Sequence, residues 1–306
     1  NSPELSNDNL IIKKNFDLHQ KKIQQLNEKD SLKKKFDAVF ICNPSSFHIE
    51  YAYKFAKKGT SLFIEKPLSH NLNGINKLKA KIKRNKIICA LGFQLRHHKF
   101  LHKIKNIIDN NLLGKIKKVE IFNQHFLPYH HKYEDYRISY AAKKKLGGGV
   151  LLCFIHEIDY AIFLFQKPKN IICKSGSKSN LDIDVEDFAD LKCEHSLNDH
   201  KFFVNIHLNF IKKKEKRNCR ILFQNGEVIW NLSQNILKIK KNGIKLKKLS
   251  FNISRNALFK KQLENFIENI NYNTKPISNI ENGISSLEVV MLAKKSSKLK
   301  KKIFCS

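Results

Sequence analysis

A chain of 306 residues with 42% hydrophobic side chains is long enough for two packed domains and too apolar for a disordered polyelectrolyte. Its formal net charge is +31, yet only six of the 58 basic residues are arginine, the side chain that forks onto phosphate and guanine. Lysines spread along the whole length read as a solvated surface and argue against a dedicated nucleic-acid binder, and no apolar run approaches the roughly 18 residues of a membrane-spanning helix.

The chain opens on a polar stretch without a signal-peptide pattern or an initiator methionine, which reads as the start of a fragment. Up to residue 35 it is polar and mostly helix-like, with one weak strand at NLIIKK (9–14). Strand and helix then alternate. FDAVFIC (36–42) is a short apolar run of the kind found in buried parallel strands. FHIEYAYKFAKKG (47–59) has helical spacing and a closing glycine, and TSLFIEKP (60–67) is a strand stopped by Pro67. NLNGINKLKAKIKRN (71–85) predicts a helix and KIICALGF (86–93) a strand. Short links between these elements imply right-handed parallel crossovers in a doubly wound sheet.

From 97 to 113 an amphipathic helix carries Phe100, Leu101, Ile104, Ile107, Ile108 and Leu112 on one stripe, and KIKKVEIFNQHF (115–126) follows as a strand. A glycine-led helix spans about 149–165. Alternating stretches then run to residue 251, with QNGE and KNGI as hairpin turns, and predict a mostly antiparallel sheet. Helices at 256–271 and 281–298 close the chain. The expected fold class is therefore α/β: a truncated Rossmann-type doubly wound parallel sheet over residues 1–93, then an α+β substrate and oligomerisation domain over 94–306 with a mostly antiparallel sheet. Seven cysteines, an odd number with no C-x-x-C pair, fit a reduced cytoplasmic protein better than a disulfide framework or a zinc knuckle.

A dinucleotide-binding sheet opens with a strand, a G-x-G-x-x-G turn and a helix, whose glycines let backbone amides approach a pyrophosphate. No glycine precedes Gly59. Either the fold binds no nucleotide or the opening unit lies outside this chain.

Three motifs coincide in order. They are AVFICNPSSFHIEYA (38–52), FIEKPLS (63–69), and DYRISYAAKKKLGGGVLLCFIHEIDY (135–160). Together with G-K-I after the linking helix and a strand-rich second half, they resemble the Gfo/Idh/MocA oxidoreductases over roughly 36–298. In that family the first corresponds to a C-T-P-x-x-x-H strand end, the second to E-K-P, and the third to a tyrosine-rich segment running into G-G-G-V-L-L-D-x-x-H-E-x-D-Y. The resemblance implies hydride transfer between NAD or NADP and a hydroxyl carbon of a sugar or sugar nucleotide, a homo-oligomer built through the second sheet, and truncation by a few tens of residues.

It also assigns roles. Lys66, at a strand's carboxyl end, would touch both nicotinamide and substrate hydroxyl, with Pro67 restricting its backbone and forming a candidate cis bond. His156 would take the hydroxyl proton, since an imidazole titrates near working pH, and Asp159, one turn on, would orient it. Glu157 is expected in a salt bridge. Asn43, Pro44, His48, Glu65, Lys66, Pro67 and Gln94 would line the cofactor cleft, His48 alternatively capping or packing its helix. Arg96, Tyr136, Arg137, Tyr140 and His156 would meet the substrate, although the tyrosine cluster by itself equally suggests interdomain packing. Gly147, Gly148 and Gly149 either admit a ligand to the helix start or simply turn the chain. Cys153 departs from the family branch, which has an acid there; an apolar filler is expected, with weakened or altered activity, in preference to a Cys153–His156 nucleophile pair. The histidine pairs at 97–98 and 130–131 lack the helical spacing of zinc sites and read as exposed loop residues, so no metal is expected. Two other readings stay open: a catalytically degenerate relative that binds a sugar or a protein partner, and, on the strength of IKKKEKRNCR (211–220) and KKSSKLKKKIF (294–304), a basic nucleic-acid binder.

Overall fold

The computed structural model describes residues 26–130, 133–250 and 255–305. The strand expected at 9–14 lies outside them. The described residues up to 36 belong to one unit and those from 37 on to a second, compact one. The described part of the first carries a single helical turn, α1 (Glu28–Ser31), capped by Asn27, whose side-chain oxygen accepts from the Asp30 amide at 2.9 Å.

The larger unit opens with three parallel strands, β1 (Ala38–Ile41), β2 (Ser61–Ile64) and β3 (Cys89–Leu91), in that spatial order. Their crossovers are α2 (His48–Ala56) and α3 (Ile75–Arg84), which pack on each other. These strands are shorter than the apolar runs that announce them, because pairing, not apolar character, decides where a strand stops. The second face is covered from far along the chain. Phe266 of α7 (Arg255–Tyr272) packs edge-on against Phe40 and Phe63, each at 5.6 Å between ring centroids, and joins Ala90 in a small core. The amide of Leu91 donates to the Ser278 carbonyl at 3.0 Å, so β3 is also tied to the segment entering α8 (Ile280–Leu299).

Helix α4 (Lys99–Asp109) links the two sheets and buries Phe100, Leu101, Ile104 and Ile107; its predicted stripe is too wide, since Leu112 lies beyond its end and is exposed. The second sheet has nine strands in the order β11-β10-β9-β8-β4-β7-β6-β5-β12. Here β4 is Ile116–Gln124, β5 Asn170–Gly176, β6 Phe188–Leu197, β7 His200–Asn209, β8 Lys216–Phe223, β9 Gly226–Asn231, β10 Ile236–Lys241, β11 Lys247–Ser250 and β12 Ile303–Phe304. Every pairing is antiparallel except β4 with β7. The short β12 has no sequence signal, being two residues beside a lysine run. The sheet packs α8 against β5 on one face, while the other face exposes Phe203, Ile172 and Leu222.

The glycine-led helix is not continuous. It divides at Phe154 into α5 (Val150–Cys153) and α6 (Ile155–Phe165), and the segment Lys144–Cys153 meets α6 at a bend of 47°. Gly147 (φ 84°) and Gly149 (φ 101°) occupy backbone conformations that disfavour other residues. A Cβ on Gly148 would sit 2.5 Å from the Ala141 carbonyl oxygen, and one on Gly147 2.2 Å from Ser45 Oγ. The run is therefore a close-packed turn between protein segments. Its helix start is already occupied by Glu186, whose carbonyl accepts from the Val150 amide and whose carboxylate would meet a Cβ on Gly149.

Candidate functional site

Parallel pairing of Val39 with Leu62 and of Phe63 with Ala90 brings the carboxyl ends of the three strands to one rim. Cys42, Asn43 and Pro44 follow β1, Glu65, Lys66 and Pro67 follow β2, and Gln94 follows β3. The Lys66–Pro67 peptide is cis. His48, in the first turn of α2, braces two of these ends: Nδ1 lies 2.8 Å from the Pro67 carbonyl oxygen and Nε2 2.7 Å from that of Asn43. Burial pushes its pKa down, against the pull of the two carbonyls. The ring lines the rim but spends both nitrogens on backbone, which makes it a support for Asn43 and Pro67.

Two hollows meet at the rim. One, of about 220 Å³, is lined by Asn43, Pro44, His48, Glu65, Lys66 and Tyr140, among others. The larger, about 650 Å³, shares Glu65, Lys66 and Tyr140 with it and adds Gln94, Cys153 and His156. Sheet rim and helix therefore do present Lys66 and His156 to one opening. His156, 7% exposed, lies in the first turn of α6 with its ring edge-on to Phe93 at 5.8 Å.

The helix break explains the seat of Lys66. At the bend the Glu157 amide turns to the Phe154 carbonyl (3.2 Å), and the Cys153 carbonyl accepts instead from Lys66 Nζ at 2.9 Å. Burial pushes the Lys66 pKa below its ordinary value, and Arg217 adds to this; Cys153, Glu65 and Glu157 oppose it. The Cys153 thiol itself is pushed up to about 12 by burial, so at neutral pH it is an uncharged filler and no nucleophile.

Other assignments from the sequence are corrected. Asp159 does not pair with His156. Its two carboxylate oxygens accept from Arg96 Nε at 3.2 and 2.9 Å and from Nη2 at 2.9 Å, and Ser286 Oγ donates to it at 3.1 Å. Arg96 is 5% exposed, so this ion pair removes it from the substrate contacts as well. A buried carboxylate takes the partner that offers charge and a planar fork over a nearby imidazole. Arg137 is exposed and closes onto Asp135 two residues back, Nη2 to Oδ2 at 2.6 Å. The Tyr136 hydroxyl accepts from the Asp182 amide at 3.3 Å. Neither lines the hollows; of the tyrosine segment only Tyr140 does. Glu157, fully buried, forms its expected ion pair, accepting from Arg217 Nε at 2.7 Å. His98 is buried, not a loop residue on the surface: its Nδ1 caps α4 by accepting from the Phe100 amide at 3.0 Å. Among the described residues no group of three or more His, Cys, Asp or Glu is placed to hold a metal ion.

Sequence reasoning passed over part of the lining. Asn123, His125, Arg217 and Trp230 reach the larger hollow from β4, the turn after it, β8 and β9. Arg217 is hidden in a lysine-rich run, and a backbone carbonyl such as that of Cys153 has no sequence signature. The three-residue spacing of His125 from Phe122 and Gln124's strand end carries none either.

A parallel sheet whose carboxyl rim meets a helix-borne histidine, backed by a large antiparallel sheet, is the architecture of two-domain dinucleotide-binding oxidoreductases. Residues 10–93 match the family described as "Oxidoreductase family, NAD-binding Rossmann fold", and residues 101–229 match the "GFO/IDH/MocA C-terminal domain". The chain belongs to the Gfo/Idh/MocA family. It is 25% identical over 182 residues to a myo-inositol 2-dehydrogenase of Thermotoga maritima, covering 56% of this chain and 52% of that one. It is 32% identical over 129 residues to a scyllo-inositol 2-dehydrogenase (NAD(+)) of Bacillus subtilis, covering 42% and 35%. The matches thus span about half or less of these relatives. An inositol dehydrogenase homolog from Azotobacter vinelandii, solved in complex with NAD+, shares the fold with a TM-score of 0.77 at 14% identity, over 90% of this chain and 81% of that one.

Proposed function

We propose that the chain carries the substrate side and the nicotinamide side of a dehydrogenase acting on a hydroxyl-bearing carbon of a sugar, polyol or sugar nucleotide, with NAD or NADP as hydride carrier. The supporting observation is the shared opening of Lys66 and His156. The smaller hollow fits the nicotinamide end of such a cofactor: Asn43 Oδ1 is buried there without a hydrogen-bond partner among the described residues, a seat for one polar group of a ligand. No glycine turn for a pyrophosphate stands before Gly59. The cofactor, when bound, supplies or removes the hydride.

The chain's own residues handle the proton. His156 accepts it from the substrate hydroxyl, at the edge of an opening wide enough for a monosaccharide. Lys66, held by the Cys153 carbonyl and with its pKa lowered by burial, donates a hydrogen bond to the same oxygen and stabilises negative charge as it develops. Tyr140 and Gln94 border the opening and orient the sugar. Two copies joined through the open face of the nine-stranded sheet, around Phe203 and Leu222, complete the reading.

Cys153 favours a second reading, a relative that binds sugar without turning it over, since a neutral thiol cannot supply the carboxylate seen in one family branch. Titration with NADH, read by its fluorescence, measures cofactor binding, and NADH formed from NAD+ in the presence of myo-inositol measures turnover; together they separate the two. The dehydrogenase reading expects cofactor binding and turnover, with His156→Ala and Lys66→Met each lowering turnover about 10²- to 10⁴-fold. Binding without turnover selects the second reading, and no binding of cofactor or sugar sinks both.

A further inference from the structure

Resting on the sugar reading above, we infer that the substrate is a sugar carrying a phosphate, whose charge is received in a basic annex of the cleft. A third hollow, of about 530 Å³, lies where the ends of β4, β8 and β9 meet the loop before β8. It shares Glu215, Arg217 and Ser233 with the larger hollow that contains Lys66 and His156. The two hollows adjoin at these side chains, so a ligand with its reacting carbon at His156 and a charged arm reaching past Arg217 would end in this one.

Its lining is Lys212, Lys214, Lys216 and Arg217 against one acid, Glu215, with the carboxamides of Gln124, Asn218, Asn231 and Gln234 filling the rest. The charges are not equivalent. Arg217 is committed to Glu157 at 2.7 Å, and Lys216 lies over the Phe122 ring, 3.5 Å from its centroid. Glu215 accepts from Ser233 Oγ at 2.9 Å. Lys212 and Lys214 take no ion-pair partner among the described residues. Two uncommitted ammonium groups on a concave wall focus a positive field on its interior, which an isolated surface lysine does not do. Asn218 Oδ1 is buried without a hydrogen-bond partner among the described residues, an acceptor left for a ligand hydroxyl. Lysine serves phosphate as a point charge, while the amide NH2 groups of Gln124, Asn218 and Gln234 are left to donate to the remaining ester oxygens, that of Asn231 being spent on Gln234 Oε1 at 3.0 Å. Lys212, Lys214 and Lys216 all come from the basic run 211–220, and the fold sets them on a concave wall that adjoins the cleft and holds a single carboxylate.

The test is calorimetric titration of the chain with glucose, glucose 6-phosphate, UDP-glucose and inorganic phosphate, for the native protein, the Lys212→Ser/Lys214→Ser double variant and His156→Ala. The expected result is a phosphate-bearing sugar bound at least tenfold more tightly than glucose, with that ratio falling to within twofold of one in the double variant. Glucose 6-phosphate and UDP-glucose distinguish a monoester from a nucleotide as the source of the phosphate. Tight phosphate-sugar binding that survives the double variant, or equal affinity for glucose and both esters, overturns the annex while leaving the sugar reading intact. Failure of every sugar to bind overturns both. A single-stranded oligonucleotide that binds more tightly than either ester, and loses that affinity in the double variant, overturns it in favour of a nucleic-acid surface.

Discussion

At the residue scale, short-range pairing outcompeted the roles that motif position suggested. Asp159 and Arg96 satisfy one another inside the protein, and Asp135 captures Arg137 on its surface. The first pair carries weight for stability: truncating Asp159 leaves a guanidinium that is 5% exposed with no counter-charge. Asp159→Ala is expected to lower stability by about 3–5 kcal/mol, read as a shift of the denaturant midpoint. Asp159→Asn, which keeps one acceptor, should lose less. Equal stability of Asp159→Ala and the native chain would refute the view that this pair anchors α6 to the rim. Lys66 and His156 were legible because each stands in a motif with a fixed neighbourhood, E-K-P and H-E-x-D. The fate of Asp159 was not, because spacing places two side chains near one helix face without saying what approaches that face from another element.

At the element scale the bend at Phe154 separates expectation from structure. The stretch 149–165 is apolar apart from His156, Glu157 and Asp159 and carries no glycine or proline beyond Gly149 to mark a break, yet the bend turns the Cys153 carbonyl toward Lys66. The glycines ahead of it prove to be packing glycines. A methyl group at Gly148 would fall 2.5 Å from one carbonyl oxygen and 2.6 Å from another, and both belong to the segment that supplies Tyr140. Gly148→Ala is therefore expected to cost roughly 1–3 kcal/mol and to weaken sugar binding together with stability, measurable by thermal unfolding and by titration on the same sample. A variant with native stability and affinity would show that α5 and the Tyr140 segment can separate without consequence. Apart from the break at Phe154 and the two-residue β12, the helix and strand order from β1 on was readable, since period and punctuation agree at those elements. Strand lengths were not, because an apolar run marks burial and pairing decides where the strand stops.

At the scale of the whole molecule, the parallel sheet depends on a helix more than two hundred residues beyond its first two strands in sequence. Phe266 is fully buried between Phe40 and Phe63, so Phe266→Ala is expected to destabilise the chain by about 3–5 kcal/mol through loss of area and the cavity it leaves. A loss under about 1 kcal/mol would mean that α7 is not what covers this face. Acid should also unfold the protein through buried imidazoles. His195 is 1% exposed, its Nδ1 lies 3.3 Å from the Phe165 carbonyl, and burial lowers its pKa to about 4, while burial brings His97 to about 4 as well. A depressed folded-state pKa means that the unfolded chain binds the proton first. Stability from these groups is complete above pH about 6.5 and is lost as pH falls toward 4. His195→Phe should flatten the dependence of melting temperature on pH across that window, and an unchanged slope would exclude His195 as a contributor.

By itself the sequence determined the order of helices and strands, the parallel and antiparallel halves, the family, and the two side chains at the centre of the proposed chemistry. These are local quantities: periodicity, turn residues and contiguous motifs are written within a dozen positions. Only the tertiary structure decided which carboxylate meets which cation, that a backbone carbonyl at a helix bend holds Lys66, and that β4, β8 and β9 carry a basic hollow up to the cleft. Those outcomes depend on which elements arrive from distant parts of the chain. A buried charge is satisfied by the best partner within a few ångströms, wherever along the chain that partner lies.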